Sequence, residues 1–164
     1  LRGPLHEGLP TVETHRTLDT RLAICELIRA HTDMILVGDT FIHESTQKVM
    51  KEFQEGFVSL KAQVPVELTG KVLHDRIDAS DFVYRVLGTR GSALLGGEVS
   101  TTTRAVGEIN QANVRYGRYQ GEIEIAKEEL PADERQNVVG YILPSEIAVF
   151  TALPEGFGIQ LEVE

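Results

Sequence analysis

Gly121-Glu-Ile-Glu-Ile125 decides the fold of most of this chain. Glu122 and Glu124 alternate with Ile123 and Ile125, so one face of the segment is apolar and the other charged. That is the period of a half-buried antiparallel strand. Gly158-Ile-Gln-Leu-Glu-Val163 repeats the pattern, and Asn137-Val-Val-Gly-Tyr-Ile142, Glu98 to Thr103 and Val64-Pro-Val-Glu-Leu-Thr69 add further β-like segments separated by glycines. A region of short strands punctuated by turns predicts a small closed or strongly curled β domain from residue 63 to the end. Asp78-Ala-Ser-Asp-Phe-Val-Tyr-Arg85 reads either as a short helix capped by Asp78 or as a strand running into Val86.

Upstream the texture differs. Residues 1–16 contain Gly3, Pro4, Gly8 and Pro10 among charges and read as a loop. Asp19 or Thr20 can cap a helix whose apolar face holds Leu22, Ile24, Leu27 and Ile28 and which ends near His31. Met34-Ile-Leu-Val37, bounded by Gly38-Asp39, reads as a strand buried on both faces in a parallel sheet. A second helix from about Glu44 to Gln54 would turn Val49, Met50 and Phe53 inward. Loop, helix, strand, helix is a piece of an α/β repeat. One such strand cannot form a sheet alone. Residues 1–62 therefore read as part of a larger α/β unit whose other strands lie elsewhere.

The chain has 164 residues, is 41% hydrophobic and carries a net charge of −9. The acidity is concentrated after residue 121, and no basic stripe runs along the sequence. Phosphate neutralisation supplies most nucleic-acid affinity, so nucleic acid is not the expected partner. No apolar run approaches the roughly 18 residues of a membrane span, so no membrane is expected either. Cys25 is the only cysteine, which precludes an intrachain disulfide and fits a reducing compartment such as the cytoplasm. Its helical setting, Arg21-Leu-Ala-Ile-Cys-Glu-Leu-Ile-Arg29, predicts a buried structural thiol. The five histidines lack metal-site spacing and no Walker or GxGxxG loop is present, so no metal or cofactor is expected. Gly88-Thr-Arg-Gly-Ser92 reads as an ordinary turn rather than a phosphate loop.

Two stretches carry more than fold chemistry. They are Leu1-Arg-Gly-Pro-Leu-His-Glu-Gly-Leu-Pro-Thr-Val-Glu-Thr-His-Arg16 and the segment from Arg115-Tyr-Gly-Arg-Tyr119 through Glu122 to Gly140. Together they resemble the bacterial 6-phospho-N-acetylmuramidases. His74-x-Arg76-x-Asp78, Arg85 followed by Arg90, and Asn113-x-x-Tyr116-Gly117-Arg118-Tyr119-x-Gly121-Glu122 strengthen the likeness. Gly107-Glu108-Ile109 and Ala112 depart from the family pattern, which usually has Gly-Asp-Ile and an acidic residue before the Asn. The resemblance implies the end of a (β/α)8 barrel over residues 1–62, followed by a cyclophilin-like β domain over residues 63–164. It also implies a phosphorylated amino-sugar substrate, a role in peptidoglycan recycling, and a preceding barrel segment packed on residues 1–62. The isolated chain would then be inactive.

Glycoside hydrolysis commonly uses two carboxyl groups, and in an α/β barrel the loops after the strands form the catalytic face. Glu7, Glu13 and Asp39 occupy such positions and are the expected catalytic carboxyls. The competing reading pairs Glu7 and Glu13 with Arg2 and Arg16 and makes Asp39 a helix cap. His15 and Arg16 either contact substrate or staple the loop. Arginine binds phosphate through a planar fork, which makes Arg76, Arg90 and Arg118 the expected phosphate contacts. The alternative pairs the arginines of this region with Asp75, Asp78, Asp81 or Glu108 on a solvated face. Tyr116 and Tyr119 suit the β core better than a sugar-stacking surface. A non-catalytic phospho-sugar module remains the alternative function, and fold analogy alone adds a peptidyl-prolyl isomerase.

Overall fold

The computed structural model describes residues 7–39 and 41–163. Arg2, Gly3, Pro4 and Leu5, which carry part of the N-terminal motif, lie outside the described residues. Helix α1 spans Thr20–Arg29, and Asp19 caps it by accepting from the Arg21 N–H at 2.7 Å. Ile24 and Cys25 form its buried face. Helix α2 spans Glu44–Gln54, with His43 as its cap. Both helices follow the apolar periodicity of the sequence. Eight strands follow: β1 Phe57–Gln63, β2 Val72–Leu73, β3 Val83–Arg85, β4 Glu98–Ser100, β5 Glu108–Ala112, β6 Ile123–Ala126, β7 Asp133–Ile142 and β8 Gly158–Val163. A short helix, α3, Ile147–Ala152, precedes β8.

The strands form one sheet in the order β2-β8-β1-β7-β5-β6-β3, with β4 added to β7. β1 and β8 run parallel over Phe57↔Gly158 to Ala62↔Val163, and the other pairings are antiparallel. The two ends of this order meet, since the Arg76 N–H donates to the Arg85 carbonyl at 2.9 Å and the Leu87 N–H to His74 at 2.8 Å. The sheet therefore curls back on itself, which leaves few open edges. Val58, Leu60, Ile109, Ile123, Ile125, Phe150, Ile159 and Leu161 fill its interior, each at most 2% exposed. At the β1/β7 crossing Gly140 is required, because a Cβ there would lie 2.3 Å from the Gln63 carbonyl oxygen. Such contact forbids any side chain.

The sheet begins at Phe57, so a central strand lies on the N-terminal side of residue 63. The mixed run Phe57-Val-Ser-Leu-Lys-Ala-Gln63 hides that strand because it is buried on both faces at its centre. Val64 to Thr69 is not a strand: Val66–Leu68 forms a 3-10 turn after Pro65. Asp78 to Val83 turns without a helix and enters β3, so the extended reading of that segment holds.

Residues 34–37 correct the sequence reading. They form no strand, and Met34 and Leu36 are 71% and 81% exposed. A strand buried on both faces needs partners and a covering layer. All eight described strands belong to the sheet that starts at Phe57, and none pairs with residues 34–37. The chain is thus a mixed α/β structure in which the two N-terminal helices lie against the sheet. α2 is tied to β1 by Glu52, which accepts from the Ser59 N–H at 3.0 Å and hydroxyl at 2.9 Å. Arg21 joins α1 to β1 and to the turn before α3, donating to the Ser59 carbonyl at 3.1 Å and to Glu146 at 2.5 Å. No described helix is long and apolar enough to cross a membrane.

Candidate functional site

The charged face of β6 is not a solvated surface. Arg85 of β3 and Asn110 of β5 lie directly opposite Glu124, and Gln136 of β7 lies opposite Ala112 of β5. Directly paired residues share a face, so these strands put carboxylates, a guanidinium and amides on one side of the sheet. Burying a charge is costly unless it is paired. The arginines supply that pairing. Glu122 accepts from Arg90 Nε at 2.9 Å and lies 3.1 Å from Arg85 Nε and 3.6 Å from Arg76 Nη1. Glu124 meets Arg104 at 2.5 Å, Gln136 Nε2 at 3.1 Å and Arg85 Nη2 at 3.6 Å. Only 7% and 11% of the two Glu side chains remain exposed.

A 3-10 turn, Val114–Tyr119, borders this face. Asn113 caps it by accepting from the Arg115 N–H at 2.9 Å, and its own amide donates to the Glu134 carbonyl at 2.9 Å. The turn kinks at Gly117, whose φ of 59° and ψ of −119° suit only glycine. Tyr116 and Tyr119 meet edge to face with centroids 5.6 Å apart. Arg90 and Arg118 lie 4.5 and 4.9 Å from the Tyr119 ring centre, and Arg135 lies 4.5 Å from that of Tyr116. Both tyrosines are half-buried and stand outside the core, contrary to the core reading.

Arg85, Ala112, Tyr116, Tyr119, Glu122, Glu124 and Gln136 line a cavity of about 210 Å³. Arg85 Nε, Gln136 Oε1 and Asn110 Oδ1 are buried polar atoms without a hydrogen-bond partner among the described residues. All three belong to this face. Arg85 Nε is close enough to Glu122 for ionic attraction, yet its N–H makes no directed hydrogen bond. A wider depression of about 860 Å³ lies between Arg29 of α1, the 75–81 turn, Lys127 and residues 150–157. Lys127 there meets Asp75 at 3.2 Å and Arg29 donates to the Thr151 carbonyl at 3.0 Å, whereas the buried polar atoms without a partner among the described residues lie on the face around the smaller cavity.

The expected site residues fall into two groups. Glu7 lies on the N-terminal loop, and Glu13, His15 and Arg16 lie on the short 3-10 turn Glu13–Arg16 that follows it, where the sequence predicted loop. Arg16 donates to both Glu13 oxygens at 2.7 and 3.0 Å and to the Glu7 carbonyl, while His15 meets Glu26 of α1 at 2.8 Å. The Arg16 hydrogen bonds hold the Glu13 carboxyl below its ordinary range. Asp39 lies on the exposed stretch that follows Val37. Arg76, Arg90 and Arg118 belong to the second group. The first two converge on Glu122, and Arg118 donates to the Tyr119 hydroxyl at 2.7 Å. Arg76 also pairs with Asp78 at 2.7 Å, the one surface pairing that the solvated reading anticipated. The sequence reading missed Glu122, Glu124 and Gln136. Its usable signal was the number of arginines between 76 and 118 set against few nearby acids.

Residues 88–92 form a turn closed by Ser92, whose hydroxyl donates to the Gly121 carbonyl at 2.9 Å. Gly121 has a φ of 85°, and a Cβ there would sit 2.6 Å from the Ser92 backbone, so glycine lets the two turns touch. Among the described residues, no group of three His, Cys, Asp or Glu could hold a metal ion.

Comparison with known proteins bears on what the cavity serves. Residues 49–162 match the family model described as 6-phospho-N-acetylmuramidase, C-terminal, and residues 1–52 match its N-terminal counterpart. The changeover falls within α2, just ahead of the first strand. A conserved Enterococcus faecalis protein with an unknown function has a crystal structure that superposes with a TM-score of 0.70 at 28% identity, over 99% of this chain and 46% of that one. An uncharacterised B. cereus protein gives a TM-score of 0.66 at 21% identity, over 98% of this chain and 50% of that one, a likeness of fold alone. The chain spans about half the length of these solved relatives. No curated protein matches it.

Proposed function

Since the chain belongs to the 6-phospho-N-acetylmuramidase family, we propose that it is part of a longer cytoplasmic glycosidase that cleaves 6-phospho-N-acetylmuramic acid glycosides during peptidoglycan recycling. In this reading residues 1–62 complete a (β/α)8 barrel with a preceding segment. Residues 34–37 become a barrel strand only when that segment is present. The exposure of Met34, Leu36 and Phe41, at 71%, 81% and 90%, supports this, because contiguous apolar surface generally marks a contact. This chain alone would then lack activity.

The observation that carries the substrate class is the convergence of Arg76 and Arg90 on Glu122 with Arg118 over the adjacent Tyr119. Those arginines take the 6-phosphate, and His15 and Arg16 contact the sugar from the loop. Glu13, kept ionised by Arg16, suits a base or nucleophile and not the proton donor. The donor is then Glu7, Asp39 or a carboxyl from the rest of the protein. The test is hydrolysis by the full-length protein of a muramic-acid glycoside with and without the 6-phosphate. Strong preference for the phosphorylated form is expected, and equal cleavage of both would remove the phosphate role.

A second reading, a non-catalytic phospho-sugar module, is favoured by one observation: every residue lining the cavity falls between Arg85 and Gln136. Full-length protein that binds the phosphorylated glycoside and never cleaves it would select that reading.

A further inference from the structure

The 3-10 turn Glu13–Arg16 is stapled chiefly to its own loop. Arg16 donates to both Glu13 oxygens at 2.7 and 3.0 Å and to the Glu7 carbonyl, and these bonds move with the loop. Among the described residues, one side-chain hydrogen bond carries the turn across to a helix. His15 Nε2 meets Glu26 Oε2 of α1 at 2.8 Å. α1 is itself held to β1 by Arg21, which donates to the Ser59 carbonyl at 3.1 Å. Glu26 therefore stands between the framework of the fold and a turn that presents Glu13, whose side chain is 77% exposed.

The bond has a direction. A carboxylate only accepts, so Nε2 carries the proton. Nδ1 is then the acceptor of the neutral ring, and any sugar contact of His15 through a ring nitrogen falls to it. The two partners differ in exposure: 8% of the His15 side chain is accessible and 54% of that of Glu26. A largely buried N–H needs an acceptor, and leaving it without one is costly. An apolar side chain in place of Glu26 would remove the acceptor and keep water from replacing it. The imidazole would then leave its place and the turn would shift with it. An ion pair with a half-exposed member adds little to global stability, so its loss shows in the position of the turn and not in the folding of the chain.

We propose that Glu26 is a positioning residue: acting through His15, it fixes the turn and with it the place of the Glu13 carboxylate. This rests on the proposed function in one respect, that Glu13 serves as base or nucleophile. Misplacing a reacting group by about 1 Å costs roughly 10²-fold in rate, so the anchor acts on kcat.

Two variants test it. Glu26→Leu removes the acceptor, and Glu26→Gln keeps a neutral one for the Nε2–H. In this chain the nitrogen-15 NMR signal of the His15 Nε2–H should persist in Glu26→Gln and be lost in Glu26→Leu. The backbone order parameters of residues 13–16 should fall in Glu26→Leu alone. In the full-length protein, Glu26→Leu should lower kcat for the phosphorylated glycoside by roughly tenfold to a hundredfold with KM within about twofold, whereas Glu26→Gln should stay within about threefold of the parent. If Glu26→Leu does not fold, Glu26→Met removes the carboxylate with a more adaptable side chain. An unchanged His15 signal, unchanged order parameters, a kcat within about threefold of the parent, or a change confined to KM overturns the positioning role. A full-length parent that cleaves no muramic-acid glycoside overturns the glycosidase reading alone, and the His15 signal and order parameters of this chain then decide the anchor.

Discussion

Arg104 Nη1 and Glu124 Oε1 meet at 2.5 Å on the charged face of the sheet, with 9% and 11% of their side chains exposed. Removing one member of a buried pair leaves the other charge without compensation, at a cost of about 3–5 kcal/mol. Glu124 keeps Gln136 Nε2 at 3.1 Å and Arg85 Nη2 at 3.6 Å, so Arg104→Met should cost less than that and still lower the urea midpoint. Adding Glu124→Leu should recover part of the loss, because the orphaned charge goes with it. A single variant as stable as the parent would show that water reaches this face.

Arg21 joins α1 to the Ser59 carbonyl of β1 at 3.1 Å and to Glu146 of the turn before α3 at 2.5 Å, with 17% of its own side chain and 7% of that of Glu146 exposed. Arg21→Met should cost about 1.5–3 kcal/mol, the range for a hydrogen bond to a charged group. Amide exchange should then speed up in α1 and remain slow in β5 and β6. Equal acceleration everywhere would mean that the helix and the sheet open as one unit.

Much of this architecture was legible in local pattern. Asp19 and the apolar spacing after it fixed α1, and Glu44 to Gln54 fixed α2, because an amphipathic helix carries its own instructions. β6 and β8 were visible in their alternation. The charged face was misjudged for a physical reason: Glu122 and Glu124 look solvated until arginines distant in sequence fold over them. β1 was hidden because Val58, Ser59 and Leu60 are all buried and break the period of two. Residues 34–37 show the opposite failure, since an apolar run states only that cover is wanted and not that it is present.

Cys25 is fully buried, and burial pushes its thiol up to about 11. It should resist a thiol reagent at pH 8 and react only as the chain unfolds. The thiol titrates near 8.5 when unfolded. The folded state therefore retains the proton longer, so this contribution to stability is complete below about pH 8.5 and is lost as pH rises towards about 11. Urea midpoints of the parent should fall across that window, and those of Cys25→Ala should fall less. Rapid labelling under native conditions would contradict the buried setting.

Glu13 gives the most direct test of the catalytic loop. Its side chain is 77% exposed and, among the described residues, pairs with neighbouring Arg16, so Glu13→Gln should change stability by less than about 0.5 kcal/mol. Lost activity in the full-length protein would then report chemistry and not unfolding. With Glu13 as base or nucleophile, kcat for the phosphorylated glycoside should fall by roughly 10²–10⁴, with KM little changed. The preference for phosphorylated over unphosphorylated substrate should persist, because the arginines that would provide it lie on another part of the chain. A kcat within about threefold of the parent would make Glu13 a staple for Arg16 and move the search to Glu7 and Asp39.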